Sequence, residues 1–167
     1  MNEKIKIRIA QESDLEFILD IVNDAIETTS NDYRYDKINI SGIKEWYRNH
    51  IKNAEPVLVG ILDNIVVGYA TYSKFRDRIG FQYSVEHSIY CHRDYKYKGI
   101  GKLLMNELIN YAKNNGKHTM IACIDSENKN SISFHEKLGF TYVGKMKDIG
   151  FKFNRFLDMI MMQLILV

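Results

Sequence analysis

The stretch VEHSIYCHRDYKYKGIGKLL, from Val85 to Leu104, limits what this chain can fold into more than any other part of it. Its first half reads as the end of a strand running from Phe81 to Cys91, with β-branched and aromatic side chains and one acidic residue in mid-strand. Its second half is a short basic turn with two glycines, and helical spacing begins where the turn ends. A strand that passes through a tight turn into a helix is a building unit of mixed α/β sheets.

The flanking sequence extends this pattern. Lys4 to Ala10 alternates charged and apolar residues and predicts a strand. Ser13 and Glu16 form a capping-box signature, followed by a helical stripe of Leu15, Ile18, Leu19 and Val22. A second helix is predicted from Ser41 to about Asn53, with Ile43, Trp46, Tyr47, His50 and Ile51 facing inward. Val57 to Leu62 and Ile65 to Ser73 read as a hairpin around Asp63 and Asn64. The strongest helix runs from Gly99 to Asn115, with Gly116 as its stop. Thr119 to Ile124 is a buried strand, and Asn130 to Leu138 is a short helix stopped at Gly139. Phe140 to Val143 and Leu157 to Leu166 close the chain as strands. The order is strand, two helices, three strands, helix, strand, helix, two strands, which predicts a mixed α/β sheet with helices on its faces. One proline, no linker and no repeat point to a single domain over residues 1–167.

Composition removes several classes of function. The net charge is only +2, so bulk charge gives no sign of a nucleic-acid partner. The start, MNEKIKIRIA, has no apolar signal core, and the apolar runs near the end are too short to span a bilayer. A cytoplasmic protein without a membrane partner is the expectation. Cys91 and Cys123 make no disulfide framework and are expected as buried, reduced thiols. No Cys/His cluster has zinc spacing and no HExxH occurs, so no metal is expected.

Three places carry chemistry. In Lys96-Tyr97-Lys98-Gly99-Ile100-Gly101 a basic loop opens directly into a helix. The first amides of a helix lack internal partners, the helix dipole is positive there, and glycine lets an anion approach the backbone. This is a diphosphate cradle in physical terms, or else a solvated helix start whose glycines serve only the turn. It is neither a Walker A loop nor GxGxxG. Glu86 shares a strand face with Ser84, Ser88 and Tyr90. A mid-strand carboxylate is costly to bury without partners, which makes it a candidate general base, against a surface or salt-bridged glutamate. His87 falls on the opposite face and reads as a hydrogen-bonded structural histidine. Asn128 follows a strand and precedes a helix, where its amide can cap the helix or hold a ligand amide. His135, near the end of that helix, can donate a proton near neutral pH or be structural.

Four runs in order, IVNDAIETTSNDY, VEHSIYCHRDYKYKGIGKLL, ACIDSENKNSISFHEKLGF and GFKFNRFLDMIMMQL, resemble the GNAT N-acetyltransferases. They are most similar to the phosphinothricin and methionine-sulfoximine acetyltransferase branch, and they span Ile21 to Leu164. The resemblance implies a mostly antiparallel twisted sheet with helices on both faces and a splayed strand pair that holds CoA. It implies acetyl-CoA as cosubstrate, with a diphosphate loop over Lys96, Tyr97, Lys98, Gly99, Ile100 and Gly101. Lys96 stands where relatives carry Arg or Gln, and Tyr97 where close relatives often carry glycine. Pantetheine is expected to pair with backbone at Ile89, Tyr90 and Cys91, with Asn128 holding the cofactor beyond the thioester.

The same resemblance implies Glu86 as general base, and His135, in place of the superfamily's usual tyrosine, as the acid or a substrate contact. Tyr33 is expected to line the acceptor pocket. In the segment after the third strand, Phe75, Arg76 and Arg78 are expected at the acceptor, with the two arginines clamping a carboxylate or phosphinate-like group. The implied reaction is direct acetyl transfer to the α-amine of a small amino-acid-like acceptor, by a homodimer. A polyamine, an aminoglycoside or a protein N-terminus as acceptor, and a non-catalytic acyl-CoA sensor, are the competing readings.

Overall fold

The computed structural model describes residues 5–95 and 98–166 of the chain. Strand β1 (Lys6–Ile9) leads through a 3-10 turn into helix α1 (Leu15–Thr28), followed by α2 (Ile40–Lys52), β2 (Val57–Leu62), β3 (Ile65–Lys74) and β4 (Ser84–Cys91). Helix α3 (Ile100–Asn114), β5 (Thr119–Asp125), α4 (Lys129–Lys137), β6 (Thr141–Lys152) and β7 (Arg155–Ile165) complete the order. This is the predicted succession of elements.

The seven strands form one sheet in the order β1-β2-β3-β4-β5-β7-β6. Every neighbouring pair is antiparallel except β4 and β5, which run parallel. Alternation along the strands sends Val57 and Val59 to one face and Leu58 to the other, and each face is covered by a helix pair. On one side α1 and α2 bury Leu15, Ile18, Val22, Ile43 and Tyr47 against Val59, Val66 and Tyr69. On the other, α3 buries Ile100, Leu104, Met105 and Leu108 against Val67, Val85, Met120 and Ala122, joined by apolar residues of α4.

The local differences from expectation have clear causes. Asp14, rather than Ser13 and Glu16, organises the entry to α1: its Oδ2 accepts from Gln11 N–H at 2.7 Å, and Arg8 forks onto both of its oxygens. Helix α2 begins one residue early because Asn39 caps it, accepting from Gly42 N–H at 2.8 Å. Ile51 is 56% exposed and does not face the core. The hairpin at Asp63 and Asn64 has both residues at positive φ, as a type I′ turn demands. Strand β4 starts at Ser84 because residues 79–81 form a 3-10 turn. Strand β6 extends nine residues past Val143. Its register against β7 shifts twice and Asp148 sits at φ 53°, so bulges break the period-2 pattern that sequence reading relies on.

Candidate acetyl-transfer cleft

The parallel pair β4 and β5 is hydrogen-bonded only from Ser84 to Glu86, opposite Thr119 to Ile121. Beyond Glu86 the strands part. Strand β4 stays paired with β3 as far as Cys91, so only its other edge opens. His92 N–H bonds Val67 O and Phe75 N–H bonds Ser84 O, which sets the alternation: even-numbered residues of β4 exchange bonds with β3, and odd-numbered ones turn toward β5. The backbone groups of Ile89 and Cys91 therefore face the gap. Those of Tyr90 face Tyr69, so Tyr90 is not a backbone contact for pantetheine, contrary to expectation.

The gap is part of a cleft of about 750 Å³ that runs from Glu86 to the start of α3. At the α3 end, Gly99 is the N-cap residue at φ 82°, a left-handed conformation that glycine adopts without strain. Gly99, Ile100, Gly101 and Lys102 line the cleft there, at the N-terminus of a 15-residue helix. A Cβ on Gly101 would meet the Phe134 ring at 3.6 Å and Cys91 Sγ at 3.7 Å, ordinary contact distances, so packing within the protein does not require glycine at this position. Lys98 stands over the Tyr95 ring, with Nζ 5.0 Å from its centroid. The expected contacts Lys96 and Tyr97 lie outside the described residues. Asn128 lines the cleft as the N-cap of α4: its Oδ1 accepts from Ser131 N–H at 3.0 Å and its Nδ2 donates to Asn31 Oδ1 at 2.7 Å.

At the other end, Glu86 shares a sheet face with Cys123 and Asp125 of β5 and Met159 of β7. Cys123 and Cys91 are half-buried rather than buried. Burial, the negative charge of Glu86 and a hydrogen bond to that carboxylate push the Cys123 thiol up to about 12. A thiol so held is not a nucleophile at neutral pH.

The loop after α1 roofs this end. Burial alone would raise the Asp32 carboxyl. The Arg34 guanidinium, the Arg34 backbone N–H and the Tyr90 hydroxyl outweigh it and hold Asp32 below the usual carboxylate range. Tyr90 stacks on Tyr69 at 5.4 Å. Lys152, only 4% exposed, donates to the carbonyls of Ile26, Thr29 and Asp32 at 2.6, 2.9 and 2.5 Å, tying the loop to the end of β6. Tyr33 lines the cleft with its ring against Gly150, where a Cβ would lie 2.6 Å from Tyr33 Cε2.

His135 is 2% exposed, and its ring stacks on His87 at 5.0 Å. His135 Nδ1 bonds Ser131 O at 2.7 Å, and a carbonyl only accepts, so the ring proton sits on Nδ1. Nε2 of His135 then accepts from His87 Nε2–H at 3.1 Å. Burial lowers His135, and burial and the neighbouring His135 lower His87 to about 3, so both rings are neutral at pH 7. His135 consequently has no proton on Nε2 to give, which argues against the direct general acid of the sequence reading. His87 is hydrogen-bonded and structural, as expected.

Phe75, Arg76 and Arg78 lie outside the cleft lining. Arg76 stacks over the Phe75 ring at 4.4 Å, and its charge is still felt at Cys123, so it stands near the Glu86 end. Arg78 is exposed and leads into the 3-10 turn over 79–81. Two arginines closing on one ligand group are not what this loop presents. Sequence reasoning also missed Asp32, Cys123 and Asp125 as parts of the site. The i, i+2 spacing of Cys123 and Asp125 on a strand next to that of Glu86 was the available signal.

Residues 7–161 match the Acetyltransferase (GNAT) domain family. The chain belongs to the GNAT acetyltransferases. It is 36% identical to the L-amino acid N-acyltransferase MnaT of Escherichia coli (strain K12) over 160 residues, 96% of this chain and 93% of that one. It is 39% identical to the L-methionine sulfoximine/L-methionine sulfone acetyltransferase of Salmonella typhimurium over 158 residues, 95% and 92% of the two chains. A phosphinothricin acetyltransferase from Sinorhizobium meliloti, solved in complex with acetyl-CoA, superimposes with a TM-score of 0.94 at 33% identity, covering 99% of this chain and 89% of that one. The GNAT family, the mixed sheet and the splayed strand pair expected from sequence all hold.

Proposed function

We propose that this GNAT acetyltransferase moves acetyl from acetyl-CoA to the α-amine of a small amino-acid-like acceptor. The observation that carries the reading is the parting of β4 and β5 at Glu86. It sets a carboxylate at the closed end of a cleft whose other end is a glycine-opened helix N-terminus. Inward-turned backbone at Ile89 and Cys91 suits the amides of a pantetheine arm. The amides of Gly99, Ile100 and Gly101 suit a diphosphate. Acetyl-CoA, when bound, supplies an acyl group activated as a thioester.

The protein's part is then positioning and proton transfer. Glu86 takes a proton from the acceptor ammonium, directly or through water, because only the neutral amine is a nucleophile. The Ile89 N–H, turned into the gap, donates to the acyl oxygen as charge gathers on it. With His135 Nε2 occupied as an acceptor, water rather than this histidine returns a proton to the thiolate. Asn128 holds the wall at the start of α4, and Arg76 supplies positive charge for the acceptor carboxylate.

Cytoplasmic residence accords with this cosubstrate, and no helix among the described residues is long and apolar enough to cross a membrane. A homodimer accords with the exposed apolar surface of the β6–β7 hairpin, where Tyr142, Ile149, Phe151, Phe153 and Phe156 stand in solvent. Light scattering at micromolar concentration reads the mass directly.

The experiment is free-thiol release from acetyl-CoA against phosphinothricin, methionine sulfoximine, methionine sulfone, the common amino acids and spermidine. Turnover confined to the amino-acid-like compounds is expected. Turnover with spermidine alone, or CoA binding without turnover on any acceptor, overturns the reading.

A further inference from the structure

Every residue of β6 is at least partly exposed except the last, and that one is a lysine. Lysine is among the residues least often buried. Yet Lys152 is 4% exposed, between Phe151 at 43% and Phe153 at 53%. The strand end turns its aromatic rings out and its cation in. A buried ammonium is costly unless its donors are matched. An ammonium has three, and here they meet the carbonyls of Ile26, Thr29 and Asp32 at 2.6, 2.9 and 2.5 Å. The Asp32 carboxylate is turned elsewhere, to Arg34 and Tyr90, so carbonyl dipoles meet this cation.

The three carbonyls do two jobs. Ile26 O belongs to the last turn of α1, where carbonyls lack partners inside the helix and the dipole is negative. Its neighbours are met locally: Asp24 O by the Thr28 hydroxyl, and Ala25 O by the Thr29 N–H and hydroxyl. The last turn of α1 has no basic residue of its own, and Lys152 supplies the cation from 126 residues away. Thr29 O and Asp32 O belong to the loop that follows. Bonding both from one nitrogen fixes the path of that loop over the cleft.

The pinned stretch carries Asn31, Asp32 and Tyr33, all in the cleft wall, whereas Lys152 is not. Asn31 Oδ1 accepts from Asn128 at the start of α4, Asp32 Oδ2 accepts from Tyr90 on β4, and Tyr35 Oη donates to Phe151 O. Those contacts hold side chains, and Lys152 holds main chain on both sides of Asn31. We infer that Lys152 is a positioning residue: its ammonium keeps the loop over residues 29–35 closed on the Glu86 end of the cleft, and acceptor affinity depends on that closure. An acceptor that binds only the closed loop loses apparent affinity in proportion to the closed fraction. The inference rests on the acetyl-transfer reading for what the loop covers, and not for the closure itself.

The test variant is Lys152→Met, which keeps the stem and removes the three donors. Hydrogen exchange on the full chain should quicken about tenfold or more in peptides over 29–35 and hold steady over α3 and β5. Trypsin should cut after Arg34 in the variant and spare the wild type. With methionine sulfoximine as acceptor, KM should rise about tenfold, while kcat at saturation and acetyl-CoA affinity hold. Lys152→Arg keeps the charge, but a planar fork does not converge on three carbonyls, so its KM should rise less, about threefold. If Lys152→Met does not fold, Lys152→Arg carries the same readouts. Unchanged exchange over 29–35, or an opened loop with unchanged KM, overturns the inference. So does faster exchange across the whole sheet with KM, kcat and CoA affinity moving together, which is the mark of general destabilisation. No turnover by the wild type sinks the acetyl-transfer reading alone, because exchange and trypsin cleavage still decide whether Lys152 closes the loop.

Discussion

The helix-start end of the cleft is built from main chain, whereas the Glu86 end is built from side chains. At the first, the groups proposed to work are the early amides of α3 and the edge of β4 that faces the gap. At the second, Glu86, Cys123, Asp125 and Tyr33 come from three segments far apart in sequence and line the cleft with their side chains. On the proposed reading, main chain recognises what every acetyl-CoA presents, and side chains recognise what differs between acceptors. The comparison predicts that variants at one end move cosubstrate affinity and variants at the other move turnover or acceptor choice.

The largest expected effect lies at the side-chain end. Glu86→Gln should lower kcat by roughly 10²–10⁴, the usual worth of a general base, with CoA affinity unchanged by calorimetry. Full activity in this variant at neutral pH would remove Glu86 as the base. Next is the main-chain end. Gly101→Val sets a branched side chain over the amides and should weaken CoA binding about tenfold, with kcat nearly preserved at saturation. Unchanged CoA affinity in the folded variant would break the assignment of that end.

A smaller effect probes the boundary between the two. Gly150→Ala drives a methyl into the Tyr33 ring at 2.6 Å, so the ring must move. The acceptor KM should rise about fivefold, near 1 kcal/mol, while CoA affinity holds. A parallel loss of CoA affinity would show that the two ends are not separable.

The smallest effect at neutral pH concerns the paired histidines. Burial, and then the neighbouring His135, depress His87 to about 3 from 6.5. Between those values the unfolded chain holds a proton that the folded one refuses. Stability should therefore fall as pH drops below about 6.5, by up to ~1.4 kcal/mol per pH unit for this group. Chemical denaturation between pH 7 and pH 5 should show a shallower slope in His87→Gln. An identical slope would mean that His87 is charged in the fold.

This division also explains what the sequence disclosed. Glycines beside lysines at a helix start are contiguous, so Gly99 and Gly101 could be singled out without a structure, with a diphosphate cradle and a solvated turn both open as their purpose. The faces of β4 were legible too, because strand spacing assigns Glu86 and His87 to opposite sides; which backbone groups turn to the gap was not, since Tyr90, paired with Tyr69, had been counted among them. The resemblance brought in Tyr33. Asp125 was not legible: it is one acidic residue at the end of an apolar strand, and its Oδ2, buried without a hydrogen-bond partner among the described residues, emerges only when Glu127 N–H takes the other oxygen. The pairing of His135 with His87 was hidden as well, since 48 residues separate them. In the fold, the extent of β6 was lost to its two register shifts, and Asp14 displaced the expected cap because Arg8, on a different element, holds it in place.

The sheet order carries a consequence for how the protein is made. Strand β7 lies between β5 and β6, and it leaves the ribosome after both of them. Until it emerges, Met120 to Ile124 present an apolar strand edge with no neighbour on that side, and β6 has no partner. Nascent chains paused before Arg155 should accordingly engage chaperones and resist closure of the acceptor end, whatever the supply of ligand. The loop after α1, which Lys152 ties down, is among the last parts to be locked in place during synthesis.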